Sequence, residues 1–365
     1  MFNRLIVALL MALLAISACT LQNGTHQGLG LGLALLQRTN GNLLITANAQ
    51  PDLLSELDPA TGATMATWVW PGHFVQAAAD AGGDHVAVTG KDYFSNSFFV
   101  ALIELAPAGQ VNVVWEDSDT DHEDRTAPVV VADGWVIFGG ATAPVSDTGY
   151  YAGIDLAGQS SWRVEAGIGR FVDIAVGNDG EVVVADFSRL DATPSGGYDV
   201  NLNRINPTTG EVIWQRPVVD FIGVLNAGSE LIAPVVTSGR TVGLKAYTLA
   251  DGTPTWSWSD DEVLDGVEGV TYNSIAVTQD AGGHFIYASY LVAAEPWSRS
   301  RVAVLWRQDG AVYPLAEWQE KDACVLRLYY RLFADGPTVV GSGYSSCPSM
   351  PGPAEISTWH LRTAR

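Results

Sequence analysis

The densest run of side chains able to do chemistry is Asp117-Ser-Asp-Thr-Asp121-His-Glu-Asp124. Alternate carboxylates in a loop, here Asp117, Asp119, Asp121 and Glu123, can converge on a hard cation such as Ca²⁺, which takes about six to eight oxygens. His122 stands where such a loop makes its sharp turn on glycine, and Pro128 where a bidentate glutamate would close it. The run therefore reads either as a calcium loop or as an unliganded acidic loop. Among the six histidines, His73 and His122 fall in loops where they could join a carboxylate as base or ligand. His85 and His284 each follow a Gly-Gly turn, which is a structural setting. No Gly-x-Ser-x-Gly elbow, His-Glu-x-x-His or Cys-x-x-Cys occurs, so no linear signature of a hydrolase, zinc protease or thiol oxidoreductase is present.

The three cysteines divide into one and two. Arg4 followed by the apolar run Leu5–Ala15 reads as the n- and h-regions of a signal peptide, and the run is too short to span a bilayer. Ile16-Ser17-Ala18-Cys19 then resembles the lipobox of bacterial lipoproteins. That resemblance implies removal of residues 1–18 and acylation of Cys19 as the new N-terminus. Thr20 stands where an aspartate tends to retain such proteins in the inner membrane, which points to the outer membrane, on either side of it. Cys324 and Cys347 would then lie in an oxidising compartment and are expected to pair. Closing a loop of that length stabilises a fold by about 3 kcal/mol on the chain-entropy model. Two buried thiols are the alternative.

What positions these groups is legible from recurrence. The chain has 365 residues, 47% of them hydrophobic, with 38 glycines, 12 tryptophans and 40 acidic against 19 basic side chains. That apolar content suits a large folded core rather than a disordered chain. The net charge of −21 argues against nucleic acid, whose phosphates need a basic surface. A turn followed by tryptophan recurs: Asp58–Gly62 with Trp68 and Trp70, Ala106–Gly109 with Trp115, Asp155–Gly158 with Trp162, Asn206–Gly210 with Trp214, Ala250–Gly252 with Trp256, and Gln308–Gly310 with Trp318. From Trp70 onwards the indoles are 45, 47, 52, 42 and 62 residues apart, mostly the spacing of four-stranded propeller blades. Every turn glycine lies an even number of residues before its tryptophan, which in an unbulged strand puts all the indoles on one relative face.

Short β-branched runs between Gly/Asp/Asn clusters supply the remaining strands, and no segment after the signal peptide keeps a helical period. The prediction is an all-β protein: a seven-bladed β-propeller of four-stranded antiparallel blades over 30–365. The blades fall at 30–71, 72–120, 121–167, 168–218, 219–262, 263–321 and 322–365. The last has only three candidate strands, Val325–Phe333, Thr338–Gly343 and Ile356–Arg362, so it is either incomplete or closed by a strand lent from the N-terminal segment. Residues 19–29 are otherwise a lipidated linker.

Asn206-Pro-Thr-Thr-Gly-Glu-Val-Ile-Trp214 and Asp58-Pro-Ala-Thr-Gly62 resemble the repeat of quinoprotein-type (PQQ-like) β-propellers, over nearly all of the mature chain. Among these the chain is similar to the non-enzymatic propeller lipoproteins of the outer-membrane β-barrel assembly machinery, which have eight blades rather than seven. The resemblance implies a protein-binding scaffold with no cofactor beyond the Ca²⁺ considered above. Its partner would be an envelope or outer-membrane protein, and its only membrane attachment the lipid. The blade order gathers His73, His122, Asp220, Asp260 and Asp261 on one acidic face, beside the exposed candidates Trp297 and Arg299. The alternative is a propeller hydrolase or dehydrogenase acting on a sugar, lactone or alcohol.

Overall fold

The structure is a computed structural model. It describes residues 19–363 apart from 28–31, 48–49, 60, 62, 96, 120–127, 142–147, 169–172, 189–196, 224, 239, 264–274, 281, 293–298, 309, 320–325, 336–337 and 348–349. Every element among them is a β-strand or a turn, and no helix is long and apolar enough to cross a membrane. The chain opens with β1 (Cys19–Gln27), set aside until the last blade. Blade 1 is β2 (Gly32–Gln37), β3 (Leu43–Ala47), β4 (Gln50–Leu57) and β5 (Thr64–Val69); blade 2 is β6 (His73–Gly82), β7 (His85–Asp92), β8 (Ser97–Leu105) and β9 (Val111–Asp119). Blade 3 is β10 (Val129–Ala132), β11 (Trp135–Ala141), β12 (Thr148–Asp155) and β13 (Ser161–Ile168). Blade 4 is β14 (Asp173–Val176), β15 (Val182–Phe187), β16 (Tyr198–Ile205) and β17 (Val212–Phe221).

Blade 5 starts with the two-residue β18 (Asn226–Ala227) and continues through β19 (Leu231–Val236), β20 (Thr241–Tyr247) and β21 (Pro254–Val263). A single pairing, Phe221 with Val235, ties it to blade 4. Blade 6 is β22 (Ala276–Gln279), β23 (Phe285–Val292), β24 (Arg299–Gln308) and β25 (Ala311–Gln319). Blade 7 takes β26 (Leu326–Asp335), β27 (Thr338–Cys347) and β28 (Met350–Thr363) from the C-terminal end and β1 as its outer strand. Cys19 to Gln27 pair without a break against Thr363 to Glu355. The closing strand therefore comes from the other end of the chain and leaves no three-stranded blade. Gly32 begins blade 1, where it pairs with Ala47.

The core confirms the ring. It divides into seven clusters among the described residues, one between each pair of neighbouring blades. Closure itself is visible where Leu43, Ile45 and Leu57 of blade 1 meet Phe333 of blade 7. Because blades stack face to face, their middle strands are buried on both sides. Phe98–Leu105 is accordingly a near-continuous apolar run, whereas outer strands such as β17 are mostly exposed.

The recurring turn and tryptophan are partners across blades. Trp68, Trp115, Trp162 and Trp214 each donate Nε1–H to a carbonyl in the next blade's turn: Ala106, Leu156, Pro207 and Leu249, at 2.8–3.1 Å. The indole bodies of Trp115, Trp162 and Trp214 also lie over the glycine of that turn. A Cβ added to Gly210 would come within 2.6 Å of Trp162, and φ there is +73°, so both space and backbone demand glycine. Bulges next to the turn occur in blades 1, 2, 4, 5 and 6 but not in blade 3. In blade 4 the bulge expels Ile213, which leaves Trp214 opposite Arg204, two residues before the turn's Asn206; Trp162 likewise faces Gly153, two before Asp155. The even spacing thus survives as common docking, but through bulges invisible in the sequence. They also account for exposed apolar residues on the outer strands, such as Val114 and Ile213.

The fifth junction departs from this pattern. Here Trp256 donates instead to the side chain of Glu230, at Oε2 and 2.8 Å. Glu230 is buried and also receives Arg307 Nη2 at 2.9 Å, while its carbonyl accepts Gln279 Nε2. A charged node replaces the backbone contact.

Candidate functional site

Antiparallel blades place the turns between strands one and two, and three and four, on one end of the ring, here the turn face. The connections between strands two and three, and from one blade to the next, form the loop face. Among the described residues, the loop face of blade 2 carries the most exposed pair of neighbouring large apolar side chains. Between β7 and β8 the chain reads Asp92-Tyr-Phe-Ser-Asn-Ser97, and Phe94 is 84% and Tyr93 50% exposed.

This loop is held rigidly. Asp92 accepts the Phe94 backbone N–H through Oδ1 and the Ser95 hydroxyl through Oδ2, both at 2.7 Å, and the Ser95 hydroxyl also contacts that of Ser97. The Ser95 hydroxyl and the loop N–H groups hold the Asp92 carboxyl below the ordinary carboxylate range against the opposing effect of burial. The Tyr93 N–H donates to the Gly72 carbonyl at 2.8 Å, and its ring stacks on Phe74 at 5.9 Å. The Phe94 ring covers Gly72, where φ is +82° and any Cβ would strike the ring. An aromatic pair is thereby presented to solvent at little further ordering cost, the setting in which binding hot spots form.

Beneath it lies His73. Its imidazole stacks on Trp70 at 3.9 Å and meets Phe99 edge-on at 5.2 Å. Nδ1 is 3.1 Å from the Pro71 carbonyl and Nε2 is 3.6 Å from Glu116. Both nitrogens face acceptors, so the ring fixes the blade 1–2 crossing and is not aimed as a base at a substrate.

Across the ring, Asp260 is equally committed. Its carboxylate receives the Tyr290 hydroxyl and lies 3.1 Å from Arg301, which also pairs with Glu317. Burial and then Asp260 push the Tyr290 phenol far above its usual range, so it stays a protonated donor. Burial opposes the charge on Arg301, but Tyr290, Asp260 and Glu317 outweigh it and hold the guanidinium charged. Asp260, Arg301 and Glu317 line a cleft of about 370 Å³ between blades 5 and 6, together with Trp258 and the exposed Asp261. Asp220 takes a left-handed φ of +62°, one of the few non-glycine residues that does, and its backbone crowds Gly197. It shapes the exit of blade 4.

The remaining candidates separate. Asp117 and Asp119 lie in β9, side by side along a strand rather than wrapped in a loop; Asp117 is exposed at a cleft with Tyr150 and Arg163. Asp121, His122, Glu123, Trp297 and Cys324 fall outside the described residues. For Arg299 in β24, Cys347 at the loop-face end of β27 and Cys19 at the start of β1, only the strand position is described. No group of three or more His, Cys, Asp or Glu that could hold a metal occurs among the described residues. The sequence reading passed over Tyr93 and Phe94. Its available signal was two aromatics inside a polar Asp/Ser turn, a place that normally favours small polar residues.

The fold defines a class before anything more particular. No protein-family model matches the chain, and no curated protein matches it in sequence. Solved structures do. The RRP9 WD40 repeats align at TM-score 0.60 and 12% identity over 93% of this chain and 97% of that one. The Dos1 propeller aligns at 0.57 and 9% identity, over 95% and 96%. BamB from Moraxella catarrhalis, at 0.47 and 11% identity, spans 92% of this chain and 100% of its own. The first two show that the chain is a β-propeller.

Proposed function

We propose that the protein is a non-catalytic scaffold, anchored through acylated Cys19 in a bacterial envelope and most consistent with the outer membrane, that binds a protein partner through its loop face. The observation that carries this reading is the presentation of Tyr93 and Phe94 by a loop tied to the Asp92 carboxylate. An apolar pair next to a carboxylate on an acidic chain suits a partner with an apolar socket and a cationic rim. The groups with catalytic potential that are described, His73, Tyr290 and Asp260, are each consumed by internal contacts. Affinity capture of the lipidated protein from native membranes, compared with the Tyr93→Ala/Phe94→Ala double variant, tests the reading. One specific envelope protein should accompany the natural chain and be lost from the variant; equal recovery from both would refute it. Intact mass of the membrane-extracted protein tests the anchor separately.

A further inference from the structure

We infer that the anchor holds the turn face of the propeller against the lipid surface and points the loop face away from it. The inference rests on the acylation of Cys19 proposed above and adds what the topology of blade 7 does with it. β28 starts at Met350, paired with Cys347 on the loop face, and ends on the turn face, where His360 pairs with Thr338 beside the β26–β27 turn. β1 runs antiparallel to β28, with Cys19 opposite Thr363 and Gln27 opposite Glu355. Cys19 therefore stands at the turn-face end of the closing strand.

No linker separates the two. A flexible tether between an acylated cysteine and the first strand would let the ring take any orientation. Here the strand begins at the cysteine itself, so the tether is one side chain and its glycerol. The nine residues of β1 put the loop face about 30 Å farther from the headgroups. Two carboxylates of the turn face, Asp155 and Asp251, are tied into their own turns. Asp155 accepts the backbone N–H groups of Gln159 and Ser160, and Asp251 is bonded by Thr248 and Thr253. Arg204 and Arg216 lie on the same face and reach the carbonyls of Ala250 and Asp251. Phe94, at the opposite end, is thereby offered to a partner rather than to lipid.

The test uses lipidated protein in phosphatidylethanolamine–phosphatidylglycerol vesicles containing headgroup-nitroxide lipid. A fluorescent amino acid is placed at Thr39 or Asp179 on the turn face, or at Val219 near the loop face. Quenching should be several-fold stronger at Thr39 and Asp179 than at Val219. A Gly-Ser linker of roughly 20 residues inserted between Cys19 and Thr20 should erase that difference while membrane binding persists. Equal quenching at all three sites, or stronger quenching at Val219, in protein whose mass carries the acyl chains would overturn the orientation alone. A mass without acyl chains would overturn the anchor and the orientation with it.

Discussion

The two ends of this ring are built from the same strands but obey different rules. On the turn face the repeated groups finish their contacts within the molecule: four indoles dock on the next blade, and Asp155 and Asp251 cap their own turns. The loop face of blade 2 uses the same local devices, an aspartate and serines closing a tight bend, to hold Phe94 out in water. The comparison separates two kinds of order. One is repeated and consumed by the fold; the other is singular and leaves most of a side chain, beyond its contact with Gly72, open to solvent.

Mutations should keep these ends apart. Trp162→Ala removes a docked indole and should cost about 3–5 kcal/mol of stability by chemical denaturation, without weakening partner binding by the folded fraction. Glu230→Ala strands the Trp256 and Arg307 donors and should cost about 2–3 kcal/mol, more than removal of an exposed glutamate elsewhere. Gly210→Ala, strained at φ +73° and pressed on Trp162, should cost upwards of about 1 kcal/mol.

A smaller effect is expected in acid. Hydrogen bonds from Thr248 and Thr253 lower the Asp251 carboxyl to about 2, so its stabilisation is complete above the unfolded value near 3.9 and is lost as pH falls towards 2. Asp251→Asn should flatten the stability–pH curve in that window. The least effect on stability belongs to Phe94→Ala, within about 0.5 kcal/mol, although partner affinity should fall at least about tenfold.

The regular end was readable because its marks repeat. Glycine and tryptophan recur at blade intervals since one is the socket for the other across a blade junction, and Phe98–Leu105 marks its strand to within one residue, whereas the expected Thr338–Gly343 stops four residues short of the strand's end at Cys347. Bulges left no trace in residue types, so parity alone could not show that Trp214 reaches the common placement by expelling Ile213 while Trp162 reaches it without a bulge at its turn. At the loop face, single residues decide the outcome and nothing repeats. Charge marked Asp260 as a surface group, yet Tyr290 and Arg301, distant in sequence, take it inward. His73 lay among acidic loops, but Trp70 and Phe99 claim its ring. Phe94 was missed because a lone aromatic in a short turn resembles any other until the structure shows what it fails to bury against.

The central claim is that blade 2 offers an aromatic docking point on one end of the ring. Photo-crosslinking in intact cells with benzoylphenylalanine at Phe94, and separately at Asp179 on the turn face, tests it directly. Position 94 should yield one discrete protein adduct that position 179 does not. No adduct at 94, or the same adducts from both ends, would contradict it.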